Sequence, residues 1–233
     1  MRAVILAGGI GSRLAPYTTV LPKPLMPLGD MPILELLIRA LKKQDLGEIT
    51  LSVGYLSSLI MAYLGNGERL NATIEYSHET EPLGTAGPLA IVEGLDSTFL
   101  AMNGDLLTDL DFGKIIEFHR KNKADATVGV YSREVKIDFG VIKTNKSGCL
   151  TDYIEKPTFQ YQVSMGVYVL EPIVLEFIPR NTRFDFPDLI KALMTENRRV
   201  CGYVHSGYWL DIGRTEDYLR AQDELQLIRS YYE

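Results

Sequence analysis

The sequence predicts an α/β fold, a mainly parallel sheet with helices on both faces, and three observations predict it. Short apolar runs alternate with helical patterns through the first half of the 233 residues. The first run, Ala3 to Ala7, empties directly into Gly8-Gly9-Ile10-Gly11-Ser12-Arg13. Another, Thr98 to Met102, empties into Asn103-Gly104-Asp105. Ligands of such sheets sit beyond the carboxyl ends of the strands, where both loops fall.

The elements follow in order. Ala3–Ala7 reads as a buried strand. Asp30 is placed to cap a helix from about Met31 to Gln44, with Pro32 in its first turn. Glu48–Val53 reads as a strand, and Tyr55–Leu64 as a helix closed by Gly65-Asn66-Gly67. Ala72–Tyr76 reads as a strand and Thr85–Glu93 as a helix ended by Gly94. The strand Thr98–Met102 and the helix Phe112–Lys121 complete the alternation. From Ala126 the rhythm changes. Thr127–Tyr131, Gly140–Thr144 and Val163–Leu170 read as strands, with a turn at Asn145-Lys146-Ser147-Gly148. The last helix, Thr215 to about Arg229, is amphipathic, with Leu225, Leu227 and Ile228 expected in the core and an oligomer contact as the alternative for that face.

Composition narrows the function. The apolar fraction of 46% is ordinary for one globular domain, here read as residues 1–233 with a nucleotide-binding part to about 125 and a sugar-binding part after it. A net charge of −6 argues against a nucleic-acid-binding surface and for a small anionic ligand in a local cationic pocket. Cys149 and Cys201 read as reduced, buried thiols of a cytoplasmic protein. No run reaches membrane-spanning length. No hexapeptide repeat, and so no β-helix, is expected at the C-terminus. His78, His119 and His205 are scattered and lack ligand spacing.

The first loop suits a polyanion. Its glycines let backbone N–H groups approach phosphate oxygens. Arg13 offers a planar fork and Lys23 a point charge, and Pro22 and Pro24 limit the freedom of the chain around that lysine. A dinucleotide fingerprint needs a third glycine where Leu14 stands, and a P-loop needs a Gly-Lys-Ser/Thr string that is absent.

Gly8, Gly9, Gly11, Ser12, Arg13, Leu14, Pro16, Thr18, Pro22, Lys23, Pro24 and Leu25 together resemble the opening motif of the sugar nucleotidyltransferases. The resemblance covers essentially the whole chain, and its motifs are most similar to those of mannose-1-phosphate guanylyltransferases. It implies a Rossmann-like three-layer sandwich with a mixed central sheet. It also implies the reaction of a nucleoside triphosphate with a sugar 1-phosphate to give a nucleoside-diphosphate sugar and pyrophosphate. GTP with mannose 1-phosphate is the first expectation. A heptose 1-phosphate with GTP, glucose 1-phosphate with dTTP, UTP or CTP, and phosphocholine are the alternatives. A catalytically silent regulatory subunit on the same fold is a further alternative from another class.

By the same resemblance, Arg13 and Lys23 are catalytic, the first on the leaving pyrophosphate and the second on the α-phosphate and the incoming sugar phosphate. Asp105 and Asp211 would hold Mg²⁺, which prefers one or two carboxylates plus phosphates and waters. Leu6, Ala7, Gly8, Gly9, Gly11 and Ser12 would cradle the nucleotide, and Glu81, Gly84 and Thr85 would lie beside its base and ribose. Gly140, Glu155, Lys156 and Ser164 would hold the sugar phosphate. Relatives usually carry Asn-Ala-Gly where Val163-Ser164-Met165-Gly166-Val167-Tyr168 stands here. The shorter serine lacks the amide's donors, which bears on the identity of the sugar and not on the class of reaction. Trp209 is expected in packing near the pocket.

Overall fold

The computed structural model describes residues 1–232. Its strands are β1 (Arg2–Ala7), β2 (Pro27–Leu28), β3 (Met31–Pro32), β4 (Glu48–Val53), β5 (Thr73–His78), β6 (Phe99–Asn103) and β7 (Leu106–Thr108). The second half adds β8 (Ala126–Lys136), β9 (Val141–Thr144), β10 (Leu150–Ile154), β11 (Thr158–Leu170), β12 (Val200–His205) and β13 (Trp209–Asp211). The helices are α1 (Ile33–Lys43), α2 (Ser57–Leu64), α3 (Phe112–Asn122), α4 (Phe186–Thr195) and α5 (Thr215–Tyr232).

Seven strands form one sheet in the order β12-β8-β11-β6-β1-β4-β5. Only β11 runs against the rest, pairing antiparallel with both β6 and β8. The sheet is therefore mixed and mainly parallel, as expected. Along β1 the alternating residues divide the core in two. Ala3, Ile5 and Ala7 belong to the cluster that α1 and α5 cover, and Val4 to the one that Leu89, Phe186 and Leu189 cover.

Several local readings are corrected. Asp30 does not cap α1. Met31 and Pro32 are held extended by pairing with Pro27 and Leu28, so the helix starts only at Ile33 with Pro32 before it. The helix expected over Thr85–Glu93 is a single 3₁₀ turn, Gly87–Ile91. Ala86 and Gly87 both donate their N–H groups to the Phe184 carbonyl, the Leu89 N–H bonds the Ala86 carbonyl three residues back in a 3₁₀ pattern, and the chain turns extended again at Val92. Cys149 is exposed at the end of the β9–β10 turn, and Cys201 is half-buried. Leu227 is 76% exposed, whereas Leu225 and Ile228 are buried. The strands read at Thr127–Tyr131 and Val163–Leu170 are the inner parts of β8 and β11, which continue past the sheet as a two-stranded arm.

A buried polar tie is centred on Glu35, which is 1% exposed on α1. Arg39, Arg69 and Tyr63 all donate hydrogen bonds to it, joining α1 to α2 and to the turn beyond. Burial alone would raise its carboxyl, but the bonds from Arg69, Tyr63 and Arg39 outweigh that and hold it at about 2. A depressed folded value means stabilisation that is complete above the ordinary value of 4.5 and is lost as pH falls towards 2. Linkage alone gives up to about 3 kcal/mol, and the half-exposed guanidinium groups cut this to about 1–2 kcal/mol. Glu35→Gln should therefore lose about 1–2 kcal/mol in urea denaturation at neutral pH and clearly less near pH 3. A deficit that does not change with pH would contradict the ion cluster as its source.

Candidate active site

The carboxyl ends of β1, β4, β5 and β6 lie side by side. Their loops are crowded at the backbone, which is why small residues stand there. A Cβ on Gly54 would lie 3.1 Å from the Gly8 carbonyl oxygen, and one on Gly104 would lie 2.9 Å from that of Leu6. The Leu6 carbonyl also accepts the Gly104 N–H at 2.9 Å, which fixes the Asn103–Asp105 turn against the first strand. Gly11 adopts φ +68°, a left-handed conformation that side chains disfavour, and starts the 3₁₀ turn Ser12–Leu14. Gly9 differs from these. A Cβ there would meet no atom within 4 Å, so its bare backbone faces open space.

Three charged residues distant in sequence converge beneath this loop. Lys23 is 8% exposed and its Nζ forms an ion pair with Asp105 Oδ2. The other carboxylate oxygen, Asp105 Oδ1, is buried with no hydrogen-bond partner among the described residues. The β7–β13 ladder sets Asp211 opposite Leu106, and Ile212 donates its N–H to the Asp105 carbonyl. Burial pushes the Asp211 carboxyl up, and the Asp105 charge adds to this against the pull of Lys23 and Arg13. Arg13 is exposed, packs over Gly213, and shares a shallow hollow with Arg214, Thr215 and Glu216 at the start of α5. The two carboxylates share one buried cation, Lys23, and one oxygen, Asp105 Oδ1, is left without a partner among the described residues. Mg²⁺ needs only one or two protein carboxylates, so the donor set fits that ion rather than one held by three or more protein ligands.

The second loop is tied down from both sides. Gly84, at φ +82°, lies so close to Phe184 that a Cβ would come within 2.8 Å of its carbonyl oxygen. Thr85 donates both its N–H and its hydroxyl to Asp185, and accepts the Phe186 N–H. Glu81 is exposed on the same loop. One residue missed by the sequence reading now stands out. Glu79, at the end of β5, accepts hydrogen bonds from the Ser52 hydroxyl and the Leu83 N–H. Its Oε1 lies 2.2 Å from where a Gly8 Cβ would be, so it links the two loops. Burial raises its carboxyl against those two bonds.

A model of the nucleotidyl transferase family matches residues 2–227, nearly the whole chain. The chain belongs to that family. It is 34% identical to the mannose-1-phosphate guanylyltransferase catalytic subunit beta of Drosophila pseudoobscura pseudoobscura, covering 94% of this chain and 60% of that protein. It is 33% identical to the mannose-1-phosphate guanylyltransferase of Mycobacterium tuberculosis, covering 96% of this chain and 64% of that protein. The chain thus spans about three fifths of the length of these curated relatives. Among solved structures, HddC from Yersinia pseudotuberculosis complexed with GMP-PN superposes with a TM-score of 0.74 at 26% identity, covering 96% of this chain and 99% of that one.

On the other flank of the site in this member of the family, β11 breaks register between Ser164 and Tyr168 beside the carboxyl end of β6. Gly166, at φ +71°, lets Asn103 lie so close that a Cβ would come within 2.6 Å of its amide nitrogen. The bulge therefore abuts the Asn103–Asp105 turn. The Ser164 hydroxyl is engaged with the Tyr168 hydroxyl and the Gly166 N–H. Trp209 donates its indole N–H to the Met165 carbonyl, which joins the bulge to the strand bearing Asp211. Gly140, Glu155 and Lys156 lie further out at the base of the β9–β10 hairpin. Gly140 is where the Tyr153 hydroxyl packs, Tyr153 donates to Glu155, and Lys156 is exposed at φ +45°. The histidines are structural or exposed. His119 is buried between Thr127 and Glu171, His205 is bound to Asp109, and His78 is exposed.

Proposed function

We propose that the chain transfers a nucleotidyl group from a nucleoside triphosphate to a sugar 1-phosphate, with GTP and mannose 1-phosphate as the preferred pair. The observation that carries this reading is the Lys23–Asp105–Asp211 cluster beneath an open glycine backbone at the carboxyl ends of parallel strands. An oxygen of the sugar phosphate attacks the α-phosphorus. The bond between that phosphorus and the α–β bridging oxygen breaks, and pyrophosphate leaves. The chain supplies position and charge, and no nucleophile is required of it.

In this mechanism the bare backbone at Gly9 admits the phosphates, and Arg13 neutralises the charge that grows on the leaving pyrophosphate. Lys23 holds the α-phosphate and the incoming phosphate together. Asp105 and Asp211 would hold Mg²⁺, which supplies charge neutralisation at the reacting phosphates when bound. Gly140, Glu155, Lys156 and Ser164 would seat the sugar phosphate. The choice of sugar is tied to Ser164, whose hydroxyl is already shared with Tyr168 and Gly166 and offers less than an amide would.

The choice of GTP rests on the similar guanylyltransferases and on Glu79. A carboxylate beside the base loop presents two acceptor oxygens, matching the paired N–H donors on the edge of guanine. Pyrimidines lack that pair. Glu79→Gln should weaken selection for GTP over UTP by about ten- to a hundredfold in kcat/KM, with folding retained. An unchanged ratio would remove Glu79 from base recognition.

The reading is tested by pyrophosphate release with Mg²⁺ across a grid of nucleoside triphosphates and sugar 1-phosphates. Release with GTP and mannose 1-phosphate above every other pair is expected. Release with another pair would correct the substrates, and silence across the grid with nucleotide still bound would overturn the transferase.

A further inference from the structure

A second cleft of about 690 Å³ opens at the sheet edge, outside the Lys23–Asp105–Asp211 cluster. Thr50 forms its floor on β4. Ser77 on β5 and the exposed Glu81 and Glu93 line its sides, with Leu83 and Ile91 as apolar walls. The Gly8–Arg13 loop, Lys23, Asp105 and Asp211 do not line it, and Glu81, expected beside the base and ribose, stands between the two sites.

The floor carries the telling feature. Thr50 is 4% exposed, and its Oγ1 is buried with no hydrogen-bond partner among the described residues. A strand residue with high β-propensity could be valine at this position without loss of packing. An unpaired buried hydroxyl is costly and calls for a partner from the cleft itself. The remaining charges say which kind. Glu75 is neutralised by Arg2, whereas Glu81 and Glu93 leave acceptor oxygens at the mouth. Carboxylates repel phosphate and accept O–H and N–H donors. Apolar walls suit the C–H face of a ring.

The structure assigns this cleft to a small ring polyol without phosphate, a monosaccharide or amino sugar, that binds with one hydroxyl on Thr50 and acts as an effector of the nucleotide site. Coupling has a short route. Leu83 forms a wall of the cleft and donates its N–H to Glu79, and Ser77, on β5, stands two residues before Glu79, which follows the end of that strand. An occupant that shifts Leu83 shifts the carboxylate between the two loops. The effector role rests on the nucleotide reading of Glu79, but binding in the cleft does not.

Binding is tested on the whole chain by calorimetry with methyl α-D-mannopyranoside as the neutral probe and glucosamine as the amino probe. Saturable binding of at least one is expected, persisting in Lys23→Ala. Thr50→Val, nearly isosteric, should weaken it by about tenfold or more. Ser77→Ala, a milder change at the wall, should weaken it by several-fold and guards against a folding defect in the first variant. Glu93→Gln should weaken glucosamine more than the neutral probe if the ligand is an amino sugar, and both equally if it is neutral. No saturable binding, or binding as tight in Thr50→Val and Ser77→Ala as in the parent, would overturn the site. A GTP affinity that is the same with and without saturating probe would overturn the effector role, since coupling must act in both directions.

Discussion

Lys23→Ala should lower kcat/KM by at least about a hundredfold, the scale seen when one preorganised charge is taken from a transition state. The structure says why the loss is large and specific. Lys23 sits in a 3₁₀ turn between Pro22 and Pro24, 8% exposed, so its ammonium group is fixed and partly dehydrated beside Asp105. Charge held in such a place needs no reorganisation when the reaction occurs. Arginine should not restore the rate, because its planar fork is larger and the site is closed by packing. The fall should be carried mainly by kcat, with the dependence on Mg²⁺ concentration little changed, because both aspartates remain. A variant that folds and turns over at a near-normal rate would remove Lys23 from the mechanism. A variant that merely melts earlier at full activity would make the ion pair with Asp105 a structural tie only.

The parts of this molecule that were legible in the sequence are those whose physics is local. The run Ala3–Ala7 followed by the Gly8–Arg13 loop is a buried strand ending in a glycine turn, and that is a local property of the sequence. The alternation through Phe112 specifies parallel strands with helices between them. Asp105 and Asp211 could be paired only through resemblance, because the β7–β13 ladder that joins them closes a gap of about a hundred residues. Glu79 was illegible for the same reason. Its partners are the Ser52 hydroxyl on the neighbouring strand and the Leu83 N–H, with Gly8 packed against it, and nothing in His78-Glu79-Thr80 announces them. The segment after Thr85 forms only a 3₁₀ turn, tied from outside by Phe184 and Asp185, residues distant in sequence that its own pattern does not announce. Leu227 and Cys149 were misplaced because an apolar side chain tells nothing of the side on which a helix or a hairpin lies bare. β12 is an edge strand of mixed exposure and carries a weak periodic signal, whereas α4, with Phe186, Leu189 and Leu193 at helical spacing, was legible and is not among the elements read from the sequence.

Asp105→Asn should cost about a thousandfold in turnover and, unlike Lys23→Ala, should change the requirement for metal. The substitution keeps the shape of the side chain and removes its charge, so Lys23 loses its ion-pair partner and the buried, unpartnered Oδ1 no longer belongs to an anion. The apparent Mg²⁺ affinity should fall by about ten- to a hundredfold, and excess metal should recover part of the rate. Asp211→Asn should act in the same direction. Its carboxyl is pushed up by burial and by the Asp105 charge, so as pH falls it takes a proton before an ordinary aspartate would. Activity should therefore decline on the acid side earlier than free carboxylates predict. Raising Mg²⁺ should move that limb to lower pH, because cation and proton compete for the same oxygens. The pH–rate profile at two Mg²⁺ concentrations checks both statements together. A limb that stays put, with wild-type metal dependence in Asp105→Asn, would mean that the orphaned oxygen is met by something other than a metal ion.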